Sequence, residues 1–238
     1  MTTSSVAPVT LSGRAAVHAA PGYEYRLATV DALVLSDRSH SELAAVIGIE
    51  SNLLAHHLDV LACAGVVERV RSSGDGRRRY LKLVCEALAR CEAAPHAVVS
   101  SVLFVCTENS ARPQLAAAIW NASTPGHVEV AGTHPAARVH PLAVTTTVQY
   151  GLGLSASRPL GLSAAHPRSL AEVVETPDVV VTLCERAHEE LTGKEHVDAL
   201  HWSVPDPAVG GTVSAFTRVF ATLQQRIDSA ALMFTWAA

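Results

Sequence analysis

Helical apolar spacing broken by glycines and followed by a basic hairpin, then short apolar runs alternating with helical patterns, predict a two-domain α/β chain. The first part reads as a winged helix-turn-helix of α+β type, the second as an α/β domain on a parallel sheet. A third observation is local. Val102-Leu-Phe-Val105 reads as a buried strand, Cys106 ends it, and Arg112 stands where a helix begins. The expected boundaries are a disordered tail over 1–22, a winged-helix domain over 23–93, a linker over 94–100 and the α/β domain over 101–238.

The 238 residues are 49% hydrophobic and 17% charged, a balance that suits packed cores. No apolar run reaches the ~18 residues needed to span a bilayer. The start, Met1-Thr-Thr-Ser-Ser-Val-Ala-Pro8, lacks the basic and apolar regions of a secretion signal. Five cysteines in no dense pattern argue against a secreted disulfide scaffold. A cytoplasmic protein without membrane contact is expected. The net charge of −4 averages two unlike parts: residues 1–97 carry ten Lys/Arg against ten Asp/Glu, and residues 98–238 eight against twelve. Within the first part, Arg69 to Lys82 hold six basic residues and one acid, Asp75. That local cluster, rather than overall charge, points to nucleic acid.

Along the first domain, Leu27, Val30, Leu33 and Val34 are spaced for one helix face, and Asp37-Arg-Ser-His40 reads as a turn. Ser39 with Glu42 makes a capping box for a helix that carries Leu43, Val46 and Ile47 and stops at Gly48. Ser51 is expected to cap the next helix, with Leu54, Leu58 and Leu61 inward and Gly65 at its end. Val66–Val70 and Arg79–Val84 read as strands around the turn Ser72-Ser-Gly-Asp-Gly76. In a helix-turn-helix the second helix enters the major groove, which nominates Ser51, Asn52, Ala55 and His56 for base edges. The hairpin arginines Arg77, Arg78 and Arg79 would meet phosphates and make binding salt-sensitive. Arg90 to His96 reads as a helix end and a linker, since Pro95 disfavours continuation.

The segment from Glu42-Leu-Ala through Asn52, His57-Leu-Asp-Val-Leu61 and Ala64-Gly-Val-Val67 to Arg77-Arg-Arg-Tyr80 resembles the arsenical-resistance repressors (ArsR type) of metal-responsive regulators. The resemblance covers about residues 24–92. It implies a homodimer on operator DNA, and sensing through clustered thiolates. Cys63, Cys85 and Cys91 are the cysteines available for an arsenite site here, with core packing as the other reading. The Cys-x-Cys pair that some of these sensors carry on the recognition helix is absent.

In the second domain the helix after Cys106 runs through Leu115–Trp120, Val128–Ala131 is a strand, Pro141–Leu152 a helix and Pro177–Cys184 a strand. Ala187–Leu191 is helical, and Val213–Met233 forms a closing helix with Phe216, Val219, Phe220, Leu223, Ile227 and Ala230 along one stripe. Cys106, Cys184 and Asp206 each follow a strand, and sites in parallel sheets lie beyond the strands' carboxyl ends. A strand, a polar loop of Thr107, Glu108, Asn109, Ser110 and Ala111, and a helix start at Arg112 make a cradle for a tetrahedral oxyanion. Its inward N–H groups and the arginine are expected to lower the pKa of the Cys106 thiol. Asn109 and Ser110 would hold the loop open. Asp206, between Pro205 and Pro207, is the candidate general acid.

The pattern Val105-Cys-Thr-x-Asn-Ser-Ala-Arg-x-Gln114 resembles the low-molecular-weight protein tyrosine phosphatases and, more closely, the arsenate reductases that share their fold. The resemblance runs from about Ser101 to the C-terminus, and Trp202-Ser-Val-Pro-Asp-Pro207 matches the family's Asp-Pro pair, which carries the general acid. It implies that Cys106 attacks arsenate, Arg112 binds the oxyanion, Asp206 protonates the leaving oxygen and Cys184 is a second thiol that resolves the adduct. No cofactor is implied; the electrons come from an external small thiol or a thioredoxin-type partner. The third cysteine of the thioredoxin-linked enzymes is replaced by Leu191, Pro113 stands in place of the usual Ser or Thr, and Glu108 in place of a neutral residue. These differences leave open whether Cys184 is resolving or structural. They also keep two further readings in play, a phosphotyrosine phosphatase joined to a DNA-binding regulator and a catalytically weak oxyanion sensor.

Overall fold

The computed structural model describes residues 11–84, 97–152, 167–173, 176–192 and 198–236. The N-terminal unit opens with α1 (Leu11–Ala19) and α2 (Glu24–Val34). The first of these lies where a disordered tail is expected through residue 22, so ordered structure begins earlier than the sequence suggests. Val30 and Leu33 are buried as their spacing predicts, whereas Leu27 is exposed. Asp37–His40 is more than a turn: Arg38–Ser39 forms a short strand, β1, and Asp37 is buried.

Ser39 closes the predicted capping box on α3 (His40–Ile47). Its hydroxyl accepts the Glu42 N–H, and the Glu42 carboxylate accepts the Ser39 N–H at 2.7 Å. Gly48 ends α3 in the left-handed region, φ 74°. The next helix, α4 (Ser51–Cys63), starts one residue earlier than expected. Glu50 is its N-cap, without a side-chain bond, and Ser51 Oγ lies 3.4 Å from His40 Nδ1 instead. The strands β2 (Val67–Arg71) and β3 (Arg79–Leu83) pair antiparallel, with β1 on the far edge of β3. Leu43, Leu54, Leu58, Leu61, Val66 and Leu83 fill the small core between these helices and strands.

The C-terminal unit is a four-stranded parallel sheet in the order β6-β5-β7-β8, formed by β5 (Ser101–Cys106), β6 (His127–Gly132), β7 (Val179–Thr182) and β8 (Leu200–His201). Ahead of it, β4 (Ala97–Val99) pairs in parallel with β9 (Phe234–Trp236), so part of the expected linker over 94–100 is strand. Among the described residues, five α-helices accompany the sheet: α5 (Arg112–Ser123), α6 (Pro141–Gln149), α7 (Glu185–Glu190), α8 (Pro207–Gly210) and α9 (Val213–Met233). The chain leaves β5 for β6 on one side, and the later strands add on the other. The carboxyl end of β5 is therefore the switch point where a crevice opens. Phe104, Trp120, Trp202 and the apolar stripe of α9 form the larger core beneath it.

The two units are packed together through polar groups buried at their junction. One Asp37 carboxylate oxygen accepts a bond from Arg226 Nη2 at 2.6 Å, the other accepts the Ser203 N–H at 2.6 Å, and the Asp37 N–H donates to the His201 carbonyl. Burial pushes the Asp37 carboxyl upward, against the opposing pull of Arg226 and the Ser203 N–H. Trp202 Nε1 donates to the Leu35 carbonyl, and Tyr80 lies 4.6 Å from the His201 ring, which stacks on His188. Glu42 faces His188 across the junction at 3.7 Å. Burial opposes its ionisation, but the bonds from His188 and Ser39 prevail and hold its carboxyl down at about 2.

Removing one partner of a buried ion pair strands the other charge and costs about 3–5 kcal/mol. Urea unfolding of Arg226→Ala is expected to show a loss of about that size. Arg218→Ala, on the outer face of the same helix, should stay within about 0.5 kcal/mol of the parent chain.

Candidate active site

The loop from Cys106 to Arg112 closes around the sulfur of Cys106. The Asn109 N–H donates to Cys106 Sγ at 3.0 Å. To turn inward, Asn109 takes φ 52°, a left-handed conformation that asparagine tolerates better than most residues. Gln114, one turn into α5, secures this bend by donating to both the carbonyl and the side-chain oxygen of Asn109 at 3.1 Å. The segment after β6 straps the loop from outside: the N–H groups of Thr133, His134, Ala136 and His140 donate to the carbonyls of Cys106, Thr107, Glu108 and Ser110. Gly132 is required for this approach, since a Cβ there would meet the Thr107 carbonyl oxygen at 2.8 Å. Pro113 sits in the first turn of α5, where its missing N–H costs no intrahelical bond.

Arg112 is almost fully buried, and its two terminal nitrogens are engaged. Nη1 donates to the Val204 carbonyl at 3.0 Å and Nη2 to Asp206 at 3.2 Å. The fork expected to face an oxyanion is thus held by the loop that carries Asp206. Asp206 caps α8 by accepting the Ala208 N–H and keeps its other oxygen on Arg112, with its side chain 40% exposed. Cys184 caps α7 from the end of β7, and its sulfur is 3.4 Å from Thr107 Oγ1. Arg112, Cys184 and Asp206 line one crevice, and Cys106 is buried close to Cys184 and Arg112. Glu108 is exposed and accepts from Ser110 Oγ. Leu191 is buried in the core.

The expected lowering of the Cys106 pKa is not what the structure gives. Burial pushes the thiol up, and Cys184 beside it adds like-charge repulsion; Arg112 and the N–H groups of Asn109 and Glu108 pull the other way and are outweighed. Spacing alone reveals the N–H cradle, but it does not reveal that Asp206 occupies Arg112 or that a second sulfur lies next to the first.

The N-terminal candidates lie elsewhere. Ser51, Asn52 and His56 are exposed on the first turns of α4, and Ala55 is half-buried. Arg77, Arg78 and Arg79 are exposed beyond the hairpin turn, with Arg78 3.8 Å from Asp75. Cys63 is exposed at the end of α4, whereas Cys85 and Cys91 fall outside the described residues. Among the described residues no group of three or more His, Cys, Asp or Glu side chains is placed to hold a metal ion, and no helix is long and apolar enough to cross a membrane. Sequence reasoning missed Glu185 and Glu189, which take hydrogen bonds from Ser73 and Ser72 of the hairpin turn. The only signal for Glu185 was its position directly after Cys184.

Residues 101–233 match the family of low molecular weight phosphotyrosine protein phosphatases. An arsenate reductase of Brevibacillus brevis is 29% identical over 136 residues, which cover 53% of this chain and 90% of that protein. Among solved structures, an arsenate reductase from Archaeoglobus fulgidus aligns at 26% identity with a TM-score of 0.43, over 55% of this chain and 98% of the other. A fragment of a possible transcriptional regulatory protein from Mycobacterium bovis aligns at 28% identity with a TM-score of 0.31, over 34% of this chain and 84% of the fragment.

Alkylation by iodoacetamide reads the Cys106 thiol directly, because only the thiolate reacts. With the thiol raised, its rate should keep climbing well above about pH 9 instead of levelling near neutrality. Cys184→Ser removes the neighbouring thiol that helps raise Cys106 and should move the onset of Cys106 alkylation to lower pH. Mass spectrometry of the labelled peptide distinguishes the two thiols.

Proposed function

The chain belongs, over residues 101–233, to the low molecular weight phosphotyrosine protein phosphatase family, and from that premise we propose that it is a thiol-dependent arsenate reductase. The observation that carries this reading is the second sulfur. Hydrolysis of a cysteinyl phosphate needs water alone, whereas reduction needs a thiol to take over the nucleophile, and Cys184 stands beside Cys106 in the same buried crevice. The relative in Brevibacillus brevis bears the name arsenate reductase, which agrees.

In this mechanism arsenate enters the Cys106–Arg112 loop and displaces Asp206 from Arg112. As Cys106 sulfur bonds to arsenic, its thiol proton passes to the freed Asp206 carboxylate, and Asp206 returns it to the departing hydroxyl oxygen, which leaves as water as its bond to arsenic breaks. The Cys184 thiolate then attacks Cys106 sulfur. The sulfur–arsenic bond breaks, its electron pair stays on arsenic, arsenic(V) becomes arsenic(III), and arsenite leaves as the Cys106–Cys184 disulfide forms. An external dithiol of thioredoxin type or a small thiol restores both sulfurs. Thr107, Glu108, Asn109, Ser110 and Ala111 supply the backbone of the oxyanion cradle. The raised Cys106 thiol and the occupied Arg112 favour one alternative, an oxyanion sensor with slow turnover.

For the N-terminal unit the same proposal reads a winged helix of ArsR type that binds operator DNA as a homodimer. The exposed start of α4, with Asn52 and His56, faces the major groove, and Arg77–Arg79 meet phosphates. The support is the order of helices and antiparallel hairpin together with the exposure of these side chains. Cytoplasmic location and a Cys63–Cys85–Cys91 arsenite site belong to this reading as well.

Arsenite formed from arsenate should appear with thioredoxin or a small-thiol donor and vanish in Cys106→Ser. Cys184→Ser should abolish thioredoxin-driven turnover. Turnover that persists unchanged in Cys184→Ser would remove that residue from the mechanism, and hydrolysis of aryl phosphate without any thiol requirement would favour a phosphatase. Operator binding, measured by fluorescence anisotropy, should weaken steeply with salt, and replacing Arg77, Arg78 and Arg79 by Gln in both protomers should flatten the salt slope by about five.

A further inference from the structure

The crevice above Cys184 is bordered by the other unit. A cavity of about 510 Å³ is lined on one side by Arg112, Cys184 and Asp206 and on the other by Glu68, Arg71 and Lys82, which belong to β2 and β3. The hairpin is seated with little slack. Ser72 Oγ donates to Glu189 at 2.5 Å, the Asp75 N–H donates to the other Glu189 oxygen at 2.8 Å, and Ser73 Oγ donates to Glu185. Gly74 touches α7 so closely that a Cβ there would lie 2.9 Å from Arg186 Cα. Glu185 also accepts from Ser203 Oγ, so this one carboxylate holds the hairpin turn and the start of the Asp206 loop together.

The charges around the cavity ask for an anion. Arg71, Lys82, Arg112 and Arg186 line it together with Glu68, Glu185 and Asp206, and Arg186 is already paired with Glu190 at 3.1 Å. Glu185 is occupied by two serine hydroxyls, and Asp206 must leave Arg112 when an oxyanion arrives. Arg71 is steadied through Nε, which donates to the Gly76 carbonyl at 2.8 Å, so its charge is positioned by the hairpin itself. Lys82 lies 3.9 Å from Glu68, and its charge also acts on Asp37.

We propose that Arg71 and Lys82 are substrate-binding residues of the Cys106 site, so that a small tetrahedral oxyanion with two or more negative charges is held between the two units. The inference rests on reading the Cys106–Arg112 loop as an oxyanion site. It assigns the hairpin a part in specificity, because two of the charges that meet the oxyanion come from the other unit. By linkage, an anion that touches both units stabilises their docking, and docking tightens the anion.

Inorganic phosphate is the probe, since it occupies an oxyanion site without reduction. Its affinity for the full-length protein is measured by calorimetry for the parent chain, Arg112→Ala, the double variant Arg71→Gln/Lys82→Gln, and Gly74→Val. Gly74→Val leaves both cations in place but pushes the hairpin off α7. Phosphate binding should be lost in Arg112→Ala and weakened about tenfold in the double variant, the size expected from removing two charges near a partly desolvated anion. Gly74→Val should weaken it similarly. Loss in Arg112→Ala with affinity unchanged within twofold in the double variant would overturn the hairpin's role and leave the Cys106 site standing. Undiminished binding in Arg112→Ala would instead overturn the oxyanion reading of the loop. Thermal unfolding of each variant identifies any that fails to fold, and the double variant, which alters one exposed and one half-buried charge of the hairpin strands, decides the question if Gly74→Val does.

Discussion

The carboxylate of Asp37 is the constraint on which the arrangement of this molecule depends. It is buried, so every lone pair must be answered from the protein, and the answers come from α9 through Arg226 and from the loop after β8 through Ser203. A charge in such a place fixes three segments at once, because moving any of them exposes an unpaired ion to a medium that cannot solvate it. The segment that follows Ser203 carries Asp206, and Arg112 grips that segment from the other side through Val204 and Asp206. A contact between domains thus sets the position of the candidate acid.

The catalytic crevice balances opposed demands on one sulfur. The N–H cradle and Arg112 favour a thiolate, whereas burial and the adjacent Cys184 disfavour it. A resting site in which the nucleophile stays protonated and the arginine stays paired with Asp206 is protected from stray oxidation, since thiols react through the thiolate.

The α/β unit was open to inspection in the chain because its signals are local. Val102–Val105, the closing helix over Val213–Met233 and the Cys106–Arg112 spacing each state their structure within a few residues. The capping box at Ser39 was equally plain. What stayed hidden depends on partners far away in sequence. Asp37 looks like a turn residue until Arg226 is brought to it, although Arg226 stands three residues after Leu223 on the buried stripe of α9, an unusual place for a charge. Strands β4 and β9 are too short to be told from linker and tail without each other. Ser72 and Ser73 carry turn chemistry and also dock on α7, and only the second use escapes the sequence.

Gly74 bears on how separable the two halves of this chain are. Multidomain proteins are often pictured as modules that can be exchanged, with the linker as the only join. Here a turn without a side chain fits against the backbone of Arg186, with Glu185 and Glu189 shaped to receive its neighbours. A foreign N-terminal unit grafted onto this α/β half would arrive with its own hairpin turn, of another length or with a bulkier tip, and would not seat. The halves form a matched pair, and a change in the turn of one calls for a compensating change in the first helical turn of the other.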